Sequence, residues 1–187
     1  MKKHMQTIIN ICLAISITAF IIQHNKHSDS ISELEKELDN INKQVIENSY
    51  RQYVKDFIAN DFDSIASHFH PPVDFQAYGL MAETKEDVIN QYKGMKSTIQ
   101  EGYAYSVIDD IKVIRTKNNN YLLCSDYTRY NINNEILFEG RTHYIYVFTG
   151  KGWKMNSLER KERIKDQSCM WIILLVADAT ATRFPSW

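Results

Sequence analysis

The hydrophobic period of this 187-residue chain changes once, at Gly102, and no other feature restricts its fold as much. Upstream, apolar residues recur at helical spacing. Tyr50, Tyr53, Val54 and Phe57 form one stripe, which breaks near Asn60 and resumes with Phe62, Ile65, Ala66 and Phe69. Pro71-Pro72 is expected to close that helix, because neither proline donates a backbone hydrogen bond. Val73–Tyr78 reads as a short strand, and Thr84 with Asp87 starts a further helix carrying Val88, Ile89, Tyr92 and Met95, weakened at Gly94. Downstream the pattern alternates. Four strands are expected at Tyr103–Thr116, Tyr121–Asn131, Glu135–Thr149 and Trp153–Arg160, separated by Asn-, Lys- and Gly-rich turns. Helices followed by a meander of long antiparallel strands make an α+β fold whose sheet buries one face under the helices.

The first turns set an address. Residues 5–23 carry no charge over 19 positions, and as a helix this run covers about 28 Å, close to the hydrocarbon thickness of a bilayer. Lys2 and Lys3 precede it, while acids begin at Asp29. The asymmetry predicts a cytoplasmic end at 1–4, a single-pass transmembrane signal-anchor at 5–23 held in membrane lipid, and an extracytoplasmic remainder at the cell membrane. A cleaved signal peptide competes with the anchor, but the small-residue cleavage signals around Ala14, Ser16 and Ala19 are poor.

Residues 24–48 read as a polar hinge, HNKHSDS, followed by a helical stalk. Ile31, Leu34, Leu38, Ile41 and Val45 alternate three and four apart, the seam of a short coiled coil. Such a seam serves either as a homodimer contact or as the first amphipathic stripe of the domain, packed within the chain. The domain proper is placed at 49–161. The tail, 162–187, holds the apolar run Cys169–Ala177, too short to span a bilayer, and its role is open.

A net charge of −1 gives no electrostatic footprint for nucleic acid. Three cysteines cannot frame a disulfide-dense fold. Cys124 is expected to act as a small buried hydrophobe, with pairing to Cys169 as the alternative in an oxidising space.

The segments GRTHYIYVFTGKGWKM (Gly140–Met155) and CSDYTRYNINNEILFEG (Cys124–Gly140) resemble the closing strands of nuclear transport factor 2-like domains, particularly the SnoaL-like branch. The likeness covers residues of about 50–160. It implies a cone: a curved antiparallel sheet closed by N-terminal helices around a pocket. Members of that superfamily bind, isomerise, dehydrate or dimerise. Here the resemblance implies binding or protein assembly at the membrane, with an isomerase or dehydratase using a Tyr/His/Asp pocket as one alternative and a non-catalytic small-ligand sensor as another. The plan of one span followed by such a domain is similar to that of the bitopic inner-membrane component of type IV secretion systems, so a membrane-complex partner is expected beside a homodimer through stalk or sheet.

The pocket wall is expected from Tyr53, Phe57, Phe75, Tyr92, Tyr127, Tyr144, Tyr146, Trp153 and Ser157. In the third long strand Tyr144, Tyr146 and Phe148 share one face, and Arg141, His143, Ile145 and Val147 the other. In the fourth, Trp153, Met155, Ser157 and Glu159 alternate with Lys154, Asn156, Leu158 and Arg160. His68, Asp74, His143 and Tyr127 are the candidate acid–base or hydrogen-bonding groups, with Tyr92 and Arg129 behind them. Asp126 and Glu159 read either as further acid–base groups or, equally, as ordinary solvent-facing acids. His68 and His70, two apart, would reach one ion with His143 or Asp74 only if they shared a strand face. No metal and no cofactor is expected: there is no phosphate-binding glycine loop, nucleophile elbow or paired-cysteine motif.

Overall fold

The computed structural model describes residues 2–161, 163 and 169; the side chains of 2–19, 21, 22 and 25 fall outside that description. The tether expected at 5–23 lies mostly on those side chains, and the tail 162–187 lies outside the described residues except at 163 and 169. Among the described residues no helix is long and apolar enough to cross a membrane.

The chain divides into two units, residues 1–42 and 43–187. The first unit belongs to helix α1, Lys2–Ala59, which runs without interruption through the stretch 24–30 read above as a hinge. Ile31, Leu34, Leu38 and Ile41 are exposed on this helix, at 46%, 64%, 58% and 49%, and Val45 just beyond them at 47%.

In the second unit a different face of α1 takes over. Ile46, Tyr50 and Tyr53 are buried, at spacings of four and three, with Val54 and Phe57 packed beside them. α2, Phe62–Ser67, is capped by Asp61, whose carboxylate accepts from the Ser64 N–H at 3.1 Å. α3, Lys85–Ser97, starts on a capping box: Thr84 Oγ1 accepts from the Asp87 N–H at 3.2 Å, and Asp87 Oδ2 accepts from the Thr84 N–H at 2.9 Å. Val88, Ile89 and Tyr92 form its buried stripe.

Six strands make one sheet in the order β2-β1-β6-β5-β4-β3. They are β1 Phe69–Phe75, β2 Leu80–Ala82, β3 Tyr103–Arg115, β4 Tyr121–Asn131, β5 Ile136–Phe148 and β6 Trp153–Lys161. β1 lies parallel to β6, and the other neighbours are antiparallel. The prolines do not end a helix as expected. Pro71 and Pro72, joined by a cis peptide, lie inside β1, where the ladder to β6 shifts register between Phe69 and Asp74. A strand tolerates residues without an N–H where its ladder is interrupted.

A second irregularity changes which residues face inward. β6 bulges opposite Ile145 and Tyr146, so that Met155 pairs with Tyr146 but Leu158 pairs with Tyr144. Trp153 and Met155 face the helices together with Leu158 and Arg160. Ser157 and Glu159 pass to the other face, against the strict alternation expected from sequence.

That outer face is also buried. Arg141, unexposed, gives Asp126 a two-pronged ion pair, Nε to Oδ1 at 2.6 Å and Nη2 to Oδ2 at 2.8 Å, so Asp126 is not a solvent-facing acid. Cys124 is bonded to Cys169, which corrects the expectation of an unpaired thiol. Leu122, Ile114 and Ile145 pack around the disulfide. Asp126 stands next to both sulfurs. These three groups offer no metal site, since the sulfurs bond each other and the carboxylate holds Arg141.

Candidate functional site

Helices α1 and α3 and the inner sheet face line a partly open cavity of about 220 Å³. Most of the wall follows from local periodicity. α1 contributes Tyr50, Tyr53, Val54 and Phe57 at helical spacing, and α3 contributes Tyr92 and Met95 three residues apart. β4 supplies Tyr127 and Arg129, β5 Thr142 and Tyr144, each pair two apart on one strand face. Leu158 and Arg160 enter through the bulge in β6, and Gln100 comes from the connection after α3.

Its floor is a cluster of tyrosines. Tyr53 and Tyr92 share a hydrogen bond at 2.8 Å between hydroxyls, and the Tyr144 hydroxyl donates to Tyr53 at 3.4 Å. Burial holds the Tyr53, Tyr92 and Tyr144 hydroxyls well above the ordinary tyrosine range, and it also raises Tyr50. They are neutral hydrogen-bonding groups, not bases. Tyr127 is also raised by burial, opposed by the charges of Arg129 and Arg160.

Arg129 stands on the wall facing Gln100, whose Oε1 accepts from Nη1 at 2.8 Å. Rings surround its guanidinium: those of Phe57, Tyr103, Tyr127 and Phe138 have centroids 5.3–5.9 Å away. Lys96 lies over two of the same rings, 4.3 Å from Phe57 and 4.6 Å from Tyr103. Desolvation, aided by the charge of Arg129, lowers the Lys96 pKa to about 8. Arg160 donates to the Tyr78 hydroxyl at 2.6 Å.

Of the wall expected from sequence, the structure brings Tyr53, Phe57, Tyr92, Tyr127 and Tyr144 to the cavity. Phe75 and Tyr146 are wholly buried in the core and Trp153 packs against it edge-on to Tyr121. Ser157 is on the outer face, accepting from Gln76 at 3.0 Å. The candidate acid–base residues scatter. His68 follows α2 as its cap, with Nε2 2.8 Å from Asp56 and Nδ1 3.4 Å from Ser49, and so braces α2 against α1. His70 is exposed on β1, so the two histidines do not form a shared strand face. Asp74 is half-buried opposite Ser157. His143 lies on the outer face, its Nδ1 3.8 Å from Glu159, which also pairs with Lys161 and so is not a free acid. Burial lowers the His143 pKa. Only Tyr127 of that set reaches the cavity, and no carboxylate or imidazole lines it among the described residues.

Sequence reasoning left Tyr50, Gln100, Thr142, Leu158 and Arg160 out of the wall. Tyr50 precedes Tyr53 by three on one helix stripe, and Thr142 precedes Tyr144 by two on one strand face, so the same periodicities point to them. Leu158 and Arg160 had no such signal, because the bulge reverses their side.

This geometry has counterparts. Residues 42–163 match the family described as NTF2-like protein (DUF6841). The chain belongs to that family. No curated relative matches it by sequence. Among solved structures it is similar to a cystatin-like-fold domain of unknown function from Nostoc punctiforme, at 13% identity and TM-score 0.53, covering 76% of this chain and 98% of that one. It is similar to ActVI-ORFA of Streptomyces coelicolor, at 12% identity and TM-score 0.53, covering 63% and 94%. A candidate scytalone dehydratase of Novosphingobium aromaticivorans matches at 16% identity and TM-score 0.52, covering 72% and 91%. At these identities the likeness is one of fold.

Proposed function

We propose that this NTF2-like domain binds a small, largely apolar ligand without turning it over, and does so at a membrane surface. The open cavity carries the reading. A domain serving assembly alone has no need of an unfilled interior, since voids cost packing energy. The wall is aromatic with a few convergent polar groups, the usual make-up of a ligand site. An isomerase or dehydratase would need a base near pH 7, and the described wall offers neutral tyrosines and guanidinium groups instead. Residues 5–23 would hold the chain in the lipid with its N-terminus in the cytoplasm, and the exposed seam of α1 would pair two copies, leaving room for a further membrane-complex partner.

The chain in nanodiscs should bind a bicyclic aromatic probe at one site per chain, and Tyr53→Trp, which adds a larger ring to the cavity floor, should abolish that binding while the domain still unfolds cooperatively, at a lower temperature. Absence of saturable binding to the wild-type protein would remove the ligand reading. Recovery of the intact chain in a carbonate-washed soluble fraction would remove the membrane reading.

A further inference from the structure

We infer that the ligand is an anion with a flat apolar body, a monocyclic or bicyclic aromatic carboxylate, held through its carboxylate by Arg129. The inference rests on the cavity being a ligand site and adds the chemical class of its occupant.

Arg129 differs from Arg51, Arg141 and Arg163; Arg115 and Arg160 also bond neutral oxygens, those of Asn119 and Tyr78 at 2.8 and 2.6 Å, but both of those bonds are solvent-exposed. Arg51, Arg141 and Arg163 each have a carboxylate oxygen within 2.6–2.7 Å, from Glu47, Asp126 and Asp109 respectively. Arg129 has a neutral amide oxygen, that of Gln100, and four aromatic rings. Its Nε is buried and makes no hydrogen bond. A buried N–H without an acceptor is costly, and an arginine cannot reduce that cost by giving up its proton. No described residue supplies the missing acceptor, so a bound ligand is its source. A carboxylate is the group whose geometry suits a guanidinium edge.

The surroundings carry the same sign. Lys96 shares the Phe57 and Tyr103 rings with Arg129, and Arg160 stands on the cavity wall within electrostatic reach of Tyr127, as Arg129 does. The lining contains no acid among the described residues to offset these charges, although the chain as a whole is net −1. Neutral tyrosine hydroxyls add donors and no negative charge. Size completes the case. An apolar cavity of about 150 Å³ accepts benzene, so one of about 220 Å³ accommodates a fused or substituted ring.

The test compares 2-naphthoic acid with its neutral near-isostere 2-naphthamide, by calorimetry at pH 7 on the full chain in nanodiscs, against empty nanodiscs. The acid should bind about ten-fold or more tightly than the amide. Arg129→Gln should bring the two within about three-fold by weakening the acid alone, with Arg129→Lys intermediate. A measurement on the wild-type protein keeps the inference testable if the variants fail to fold: raising salt from 50 to 500 mM should weaken the acid and leave the amide unchanged. Equal binding of acid and amide, or an acid preference that survives Arg129→Gln, overturns the anion inference while the ligand reading stands. Failure of both compounds to bind overturns the two together.

Discussion

Tyr127 and Gly140 face each other across β4 and β5, and the absence of a side chain at Gly140 lets the Tyr127 ring lie where it does. A Cβ at residue 140 would meet the Phe138 ring at 2.5 Å and Tyr127 Cζ and Oη at 2.6 Å. One or both rings must shift to admit the methyl group, so Gly140→Ala should destabilise the domain by about 1–3 kcal/mol. Because Tyr127 is part of the cavity wall, probe affinity should fall with it; an unchanged Tm together with unchanged binding would refute this account of Gly140. His143 permits a second prediction at the same scale. Burial favours its neutral form, whereas the unfolded chain takes up a proton at about pH 6.5. Its contribution is therefore complete above the ordinary histidine value and is lost as pH falls from there toward the lowered one. The Tm difference between wild type and His143→Gln should shrink from pH 7.5 to 5, and parallel curves would show that His143 does not titrate in this way.

At the scale of elements, α1 carries two stripes in succession. Tyr50, Tyr53 and Phe57 line the cavity and Ile46 is buried in the core beside them, while Ile31, Leu34, Leu38, Ile41 and Val45 stay exposed at heptad spacing. Leu34→Lys with Leu38→Lys should convert a sedimenting dimer of the detergent-solubilised chain to monomer without changing its Tm, because both side chains are exposed. A wild-type monomer, or a double variant that still dimerises, would exclude the seam as the contact. Periodicity explains how much of this was legible beforehand. The long strands, α3 and its capping box follow from repeating local patterns, and so do the tyrosines of the wall, which lie on those repeats. The prolines misled because a strand whose ladder shifts register tolerates them. Strict alternation puts Ser157 in the wall and Arg160 outside it, because a bulge leaves no mark in composition. Arg141 and Asp126 are not legible as a buried pair, because only long-range packing determines that the outer sheet face is buried.

For the molecule as a whole, the cysteines and the N-terminal charges bear on the same question from opposite ends of the chain. A disulfide between Cys124 and Cys169 closes a loop across 45 residues, worth about 4 kcal/mol in chain entropy on the simplest model. Such bonds persist in oxidising compartments and are rare in the cytosol. On the membrane reading proposed above, Lys2 and Lys3 ahead of an uncharged run would keep the N-terminus inside and send the domain outward. The two arguments are independent, since one uses sulfur chemistry and the other the charge bias of membrane insertion. They meet in a thiol count. Cells quenched in acid, denatured and alkylated should yield one reactive thiol per chain, Cys12, and three after reduction. The double variant Cys124→Ser, Cys169→Ser should show one in both states and melt at a lower temperature than the oxidised protein. Three thiols before reduction would mean that the pair does not form where the protein resides, and with it would fall the chemical argument for an extracytoplasmic domain.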